Sequence, residues 1–304
     1  MKKYLKLLIV IIFMILLLPG CHKHNYKDRT YEENGYTYIN LGRYPQTVVD
    51  NEETITALSS ITETNELGYI EYNGNEYKKV VADPYKSSYT FINGNTITNG
   101  NTYYFLVEPI KWRVLTEDDN SYTLMCEMVL DNTCFYHLYG EERTINGNTI
   151  YPNNYEYSNI RAWLNGYNGS SYNVDDYTNI GFFDIAFTEE EQALINTTLV
   201  DNSAETTTSS TNEYVCNNTN DKVYLLSYQD MINSSYGFLT DYARSKGCFM
   251  ATTGYYGSAY WWLRSPNSSN SNYASNVISN GDVYNNIPVS NTGIGVRPAI
   301  TITK

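Results

Sequence analysis

Two bulky apolar blocks near the C-terminus constrain this chain more than any other feature: Tyr260-Trp261-Trp262-Leu263-Arg264-Ser265-Pro266 and Gly295-Val296-Arg297-Pro298-Ala299-Ile300. Between them runs a tract of Asn, Ser, Tyr and Gly with single aliphatics, too poor in hydrophobic residues to form a core of its own. This layout predicts structured strands holding a polar surface loop, and loops on rigid scaffolds are where recognition residues concentrate. Trp261 and Trp262 are adjacent, so on a strand they face opposite sides, one toward the core and the other toward a surface or the underside of a loop. Arg264 and Arg297 are expected to bond acids or backbone carbonyls and so pin the loop. The candidate ligand-binding residues are Tyr260, Trp261, Trp262, Arg264, Asn270, Asn272, Tyr273, Asn276, Tyr284 and Asn285.

The other end of the chain reads as a leader. Lys2 and Lys3 precede an unbroken apolar run of 12 residues from Leu7 to Leu18. A helix needs about 20 residues to span a bilayer, so this run has the length of a secretory core instead. Leu18-Pro19-Gly20-Cys21 resembles a bacterial lipobox, although Pro19 is atypical there. Cleavage before Cys21 and its acylation would hold the chain on the outer face of the cytoplasmic membrane, since more than one acyl chain gives stable anchoring. The expected organisation is a lipoprotein signal peptide over 1–20, a polar tether over 21–35 and one domain over 36–304.

The formal charge is −13 and becomes three units more negative once Lys2, Lys3 and Lys6 leave with the leader. Nucleic acid and other anionic polymers require a basic footprint, so they are excluded as expected partners. The chain holds 32 tyrosines and is rich in Asn. These residues supply aromatic contact area and adaptable hydrogen bonding at low entropic cost, as binding loops do.

Short strand patterns dominate: Tyr36–Tyr44, Tyr69–Tyr72, Tyr77–Val81, Thr102–Val107, Lys111–Leu115 and Tyr122–Leu130 alternate or carry β-branched and aromatic runs. Asn-Gly pairs beginning at Asn34, Asn73, Asn93, Asn99, Asn146, Asn165, Asn168 and Asn280 each suit a type I′ hairpin turn. Four short helices are expected: Ser158–Asn165, one opened by the Thr188–Glu191 capping box and continuing through Ile195, one from Ser227 to about Asn233, and Thr240–Lys246. Asp201–Asn212 reads as an exposed loop. The pattern is α+β.

The two C-terminal blocks, together with Ala274-Ser275-Asn276-Val277 and Asn280-Gly281-Asp282-Val283, resemble a bacterial family of unknown function. Leu41-Gly42-Arg43-Tyr44-Pro45-Gln46, Pro109–Leu115, Ile160–Asn165 and Asp221–Ser227 agree with it in order, so the resemblance spans roughly 36 to 304. It implies a C-type-lectin-like domain, related in fold to formylglycine-generating (sulfatase-modifying-factor-like) enzymes. Fold alone implies no activity.

Formylglycine-generating enzymes use paired cysteines that bind copper. Cys216 and Cys248 are the late cysteines here, and neither sits in a matching context. Cys126, Cys134, Cys216 and Cys248 contain no C-x-x-C pair, which leaves either two disulfides or free buried thiols. His137 is the single histidine of the domain, and Asp118-Asp119 and Asp175-Asp176 are adjacent acids better suited to a Ca²⁺ site than to glycoside chemistry. No catalytic constellation emerges and no cofactor is called for. The expected function is a lipid-anchored, non-enzymatic binding module for a surface protein or glycan. An enzyme of the formylglycine-generating or cell-wall-modifying type, and a structural envelope protein, are the alternatives.

Overall fold

A computed structural model describes residues 30–208, 213–231 and 236–304. Its strands begin with β1 (Tyr31–Glu33), β2 (Tyr36–Val48), β3 (Ile70–Tyr72), β4 (Asn75–Val81), β5 (Thr102–Glu117) and β6 (Ser121–Cys126). Shorter ones follow: β7 (Asp131–Asn132), β8 (Arg143–Ile145), β9 (Asn148–Ile150), β10 (Thr198–Val200), β11 (Thr219–Asp221) and β12 (Val223–Tyr224). The C-terminal group is β13 (Trp261–Pro266), β14 (Tyr273–Val277), β15 (Val283–Pro288), β16 (Gly295–Val296) and β17 (Ala299–Thr303). Helices are short: α1 (Glu52–Ser60), α2 (Asn159–Asn165), α3 (Phe182–Ala186), α4 (Glu189–Gln192), α5 (Ala204–Thr207) and α6 (Asp241–Ser245). The strand-rich α+β class expected from the sequence is what the chain forms.

The larger sheet runs β1-β2-β5-β6-β17-β12, with β4 on β5 and β3 on β4. Because β17 lies between β6 and β12, the C-terminal strand pairs with one strand from the first half of the chain and one from the second. Two expected strands, Thr102–Val107 and Lys111–Leu115, are one continuous β5. One edge of β5 takes β4 at Thr102–Leu106 and β6 from Trp112 onward, while β2 lines the other. Pro109 cannot donate to a ladder, and it falls in the gap between β4 and β6, where a strand tolerates proline. Gln46 Nε2 then bridges the Glu108 and Pro109 carbonyls at 3.1 Å each.

The smaller sheet is ordered β15-β14-β13-β16-β7. β13 pairs antiparallel with β14 and parallel with β16, and every one of its residues is buried. One hydrophobic cluster joins Ile39, Phe105, Trp112 and Leu124 of the larger sheet to Trp261, Trp262 and Leu263 of the smaller one. A minor cluster of Leu58, Ile70, Tyr77 and Tyr104 seats α1 against β3–β5.

Strand pairing reaches into the segment read as a tether, because Tyr31–Glu33 pairs with Tyr36–Tyr38. Type I′ geometry, with positive φ at both central residues, occurs at Asn34-Gly35, Asn73-Gly74 and Asn146-Gly147. It fails at the other Asn-Gly pairs. Gly166 instead ends α2 in the left-handed conformation, and Gly169 precedes a 3₁₀ turn over Ser170–Tyr172. A dipeptide only permits a turn, and the strands on either side decide whether one forms.

Helix α2 keeps its expected ends, with Ser158 Oγ accepting from Arg161 N. The Thr188–Glu191 capping box is present, but α4 stops at Gln192. Ile195 is captured by Ile302 in an isolated bridge, and Asn196 N donates to Thr301 O at 2.8 Å, so sheet pairing overrides helix propagation. The Ser227 helix is a 3₁₀ turn over Gln229–Met231, and 232–235 lie outside the described residues. The polar 201–212 stretch carries α5, and 209–212 are likewise outside. Helix α1 is an addition, capped by Asn51 Oδ1 accepting from Thr54 N at 2.9 Å.

Candidate recognition face at the C-terminus

Burial divides the ten candidate residues. Trp261, Trp262 and Asn276 are 0% exposed and Arg264 is 6% exposed, which corrects the expectation that they meet a ligand. The reason is the central place of β13: both of its faces are covered, so adjacent tryptophans that point opposite ways are both core. Trp262 packs against Phe135 with centroids 5.7 Å apart, and its Nε1 donates to Thr133 O at 2.8 Å. The Trp261 ring lies 5.2 Å from the Arg297 guanidinium. Tyr260 is half-buried against Phe249 at 4.3 Å.

The two arginines bond as expected, but not to the polar loop. Arg264 Nη1 donates to Leu225 O and Asp230 Oδ2, and its Nη2 to Asp201 O. Arg297 donates through Nε to Cys126 O at 2.7 Å and through Nη2 to Glu127 O at 3.0 Å. Burial holds Arg297 down at about 10, with Glu127 opposing that shift.

What pins the polar loop is Asn153, fully buried, which sequence reasoning missed. Its Nδ2 faces the carbonyls of Tyr273 at 3.1 Å, Asn270 at 3.3 Å and Asn267 at 3.4 Å, and its backbone N donates to Ser271 O. Asn267 organises the loop from within. Its Oδ1 accepts from Ser269 N and Asn270 N, while Nδ2 donates to Asn285 O on β15. Asn272 Oδ1 accepts from Gly140 N at 2.7 Å, and the Tyr139 and Tyr273 rings meet edge to face at 6.2 Å. The structure therefore brings Asn270, Asn272, Tyr273 and Asn285 into one network with Tyr139, Asn153 and Asn267. Tyr284 and Asn285 stand exposed on β15, an outer strand of its sheet. Neither Tyr139 nor Asn153 carried a local signal, since the loop residues they meet are all over a hundred residues away.

The remaining chemistry-bearing residues are dispersed. Asp118 caps its own turn, accepting from Asn120 N, Ser121 N and Ser121 Oγ, and these bonds hold its carboxyl below the usual range. Asp175 accepts from Asn159 Nδ2 and Tyr177 Oη, whereas Asp176 turns to Thr178 N, so the two acids do not converge. His137 Nδ1 lies 3.1 Å from Asn159 Nδ2 and 3.8 Å from Asp175 Oδ2. Cys126, Cys134, Cys216 and Cys248 are all free thiols, which settles the disulfide question left open by their spacing. Burial pushes Cys126 up to about 12, Cys216 to about 11 and Cys248 well above its ordinary value, so none is poised as a thiolate. Among the described residues, no three His, Cys, Asp or Glu side chains gather closely enough to hold a metal ion.

A family model described as "Domain of unknown function (DUF6273)" matches residues 119–304. The chain belongs to that family. The DUF6273 segment opens at the turn between β5 and β6, so it contains β6–β17 and all of the C-terminal face, while β1–β5 precede it and complete the larger sheet. No curated protein and no solved structure matches the chain.

Proposed function

We propose that this DUF6273 protein is an exported, lipid-anchored binding module with a C-type-lectin-like domain, which meets a surface protein or glycan through its C-terminal face. The observation that carries this reading is a preorganised surface on which Asn270, Tyr284 and Asn285 are exposed and Asn272 and Tyr273 half-buried. Tyr273, Tyr284, Asn270, Asn272 and Asn285 are presented around a loop whose backbone is locked by the buried Asn153. Locking a loop in advance removes much of the ordering cost of binding. The Cys21 anchor, at the start of the tether, lies outside the described residues and rests on the Leu18–Cys21 lipobox pattern. No helix among the described residues is long and apolar enough to cross a membrane.

The test is a binding screen of the chain against glycans and envelope proteins, repeated with Tyr273→Ala, Tyr284→Ala and Asn285→Ala. Point substitutions are needed because removing 267–291 would delete β14 and β15 from the smaller sheet. Binding that survives all three unchanged would place recognition elsewhere.

A further inference from the structure

A groove of about 540 Å³ lies between the start of α2, the segment 167–174 and β11. It shares no residue with the C-terminal face, and its volume falls in the small-molecule range of about 300–1,000 Å³. We propose that this groove binds a neutral sugar.

Its floor is a preorganised polar network. Arg161 contacts Asp221 Oδ1 through Nε at 2.8 Å and Nη2 at 2.7 Å, and donates from Nη1 to Glu156 O at 2.7 Å. Asp221 is 0% exposed, and its other oxygen accepts from Thr219 Oγ1 at 2.7 Å. A guanidinium carries five N–H groups, so these bonds leave one hydrogen each on Nη1 and Nη2 of a side chain that lines the groove. Such donors suit hydroxyl oxygens.

The walls are aromatic and held at a fixed spacing. Tyr157 and Tyr172 touch with ring centroids 4.9 Å apart, and Tyr167 lies 5.1 Å from the Arg161 guanidinium with its hydroxyl donating to Asn220 O. Behind them Arg143, 9% exposed, donates from Nη1 to Tyr157 O at 2.8 Å and to Tyr172 O at 2.7 Å. Its guanidinium rests 4.0 Å from the Tyr136 ring, and its Nε and Nη2 have no hydrogen-bond partner. A buried cation with unpaired donors is costly. Here it ties the two tyrosine segments together, which makes Arg143 a positioning residue.

Charge selects the ligand class. The charged lining residues are Glu156 and Arg161, and with Asp221 bonded to Arg161 and Arg143 behind the tyrosines the groove is close to neutral overall. Neither anions such as phosphates, nucleotides and acidic glycans nor cationic peptides meet an excess of opposite charge there, which favours an uncharged ligand. Tyrosine rings match the apolar face of a pyranose, and the amides of Asn168, Asn218 and Asn220 offer both donors and acceptors to hydroxyls.

The experiment is calorimetric titration of the full chain with cellobiose, maltose, lactose and N,N′-diacetylchitobiose, beside a lysine-rich peptide and inorganic phosphate. At least one disaccharide is expected to bind, and neither control. Tyr167→Ala and Tyr172→Ala, both at exposed side chains, should each weaken that binding by about tenfold at unchanged melting temperature, while Tyr284→Ala leaves it intact. Arg143→Lys, which keeps the charge but loses the planar fork, should weaken it less. The proposal is overturned if no disaccharide binds, if the peptide binds instead, or if the two tyrosine variants bind as tightly as the parent.

Discussion

The Tyr44 hydroxyl donates to Asp131 Oδ2 at 2.6 Å inside the core, joining β2 of the larger sheet to β7 of the smaller one. Both groups are nearly sealed from solvent, and Lys246 Nζ approaches the other carboxylate oxygen at 3.6 Å. Tyr44→Phe keeps the ring contacts with Phe182 and Tyr242 but leaves a buried carboxylate oxygen without its donor. The expected cost is about 2 kcal/mol, read as a lower urea midpoint at unchanged slope. Asp131→Asn keeps an acceptor for Tyr44 but turns its NH2 toward Asn132 N and Lys246 Nζ, so it should cost at least as much. Equal midpoints for Tyr44→Phe and the parent would show that the bond does not couple the sheets.

Buried tyrosines also set an alkaline limit. Burial raises Tyr44, Tyr155 and Tyr242 well above 10, with Asp131 or Asp221 adding to the rise, and lifts Tyr69 to about 12. Below pH 10 these groups are neutral in both folded and unfolded chains and exert no pull. Above it the unfolded tyrosines ionise first, so stability falls as pH climbs from 10 through the folded values. For Tyr69 alone two pH units correspond to about 3 kcal/mol. Melting temperature should hold up to pH 10 and then drop steeply, with tyrosinate absorbance from the buried set appearing together with unfolding. Smooth titration of all tyrosines near pH 10 in a folded chain would contradict this.

Local features were legible in the sequence. The ends of α2 follow from Ser158 and Gly166, and the β3–β4 hairpin from Asn73-Gly74. Helix α1 is also signalled locally, by Asn51 as a cap followed by Glu52 and Glu53. Other elements depend on distant partners and left no local trace. β7 and β16 are two residues each and exist because Gly295 meets Asn132. The burial of both tryptophans follows from the central place of β13, and periodicity along one strand reveals its two faces without saying what covers them. Of the candidate site, the exposed Tyr284 and Asn285 were within reach of sequence reasoning. The groove was not, because Arg143, Arg161, Tyr172 and Asp221 converge only through tertiary packing.

The division of the C-terminal block into core and surface is directly measurable. Trp262→Phe removes a buried indole and its bond to Thr133 O, and is expected to cost about 2–4 kcal/mol. Tyr284→Ala, at a side chain 49% exposed, should change stability by under about 0.5 kcal/mol. Thermal melts of the two variants should therefore separate by several degrees. A mild effect of Trp262→Phe would mean that β13 is not enclosed on both faces.

Asn153 offers the sharpest separation of loop order from global stability. Its amide faces three carbonyls of the 267–273 loop and, among the described residues, bonds to no other segment, so Asn153→Ala removes a local clamp. The expected global loss is about 1–3 kcal/mol. The larger effect should appear as faster amide hydrogen exchange confined to 267–273, with β13 and β17 still protected, since sub-global openings follow the contacts that are lost. Because the exposed tyrosines and asparagines keep their identity in this variant, any fall in partner binding measures the value of holding the loop in advance. Unchanged exchange across 267–273 would show that Asn267 and the β14–β15 ladder hold the loop without Asn153.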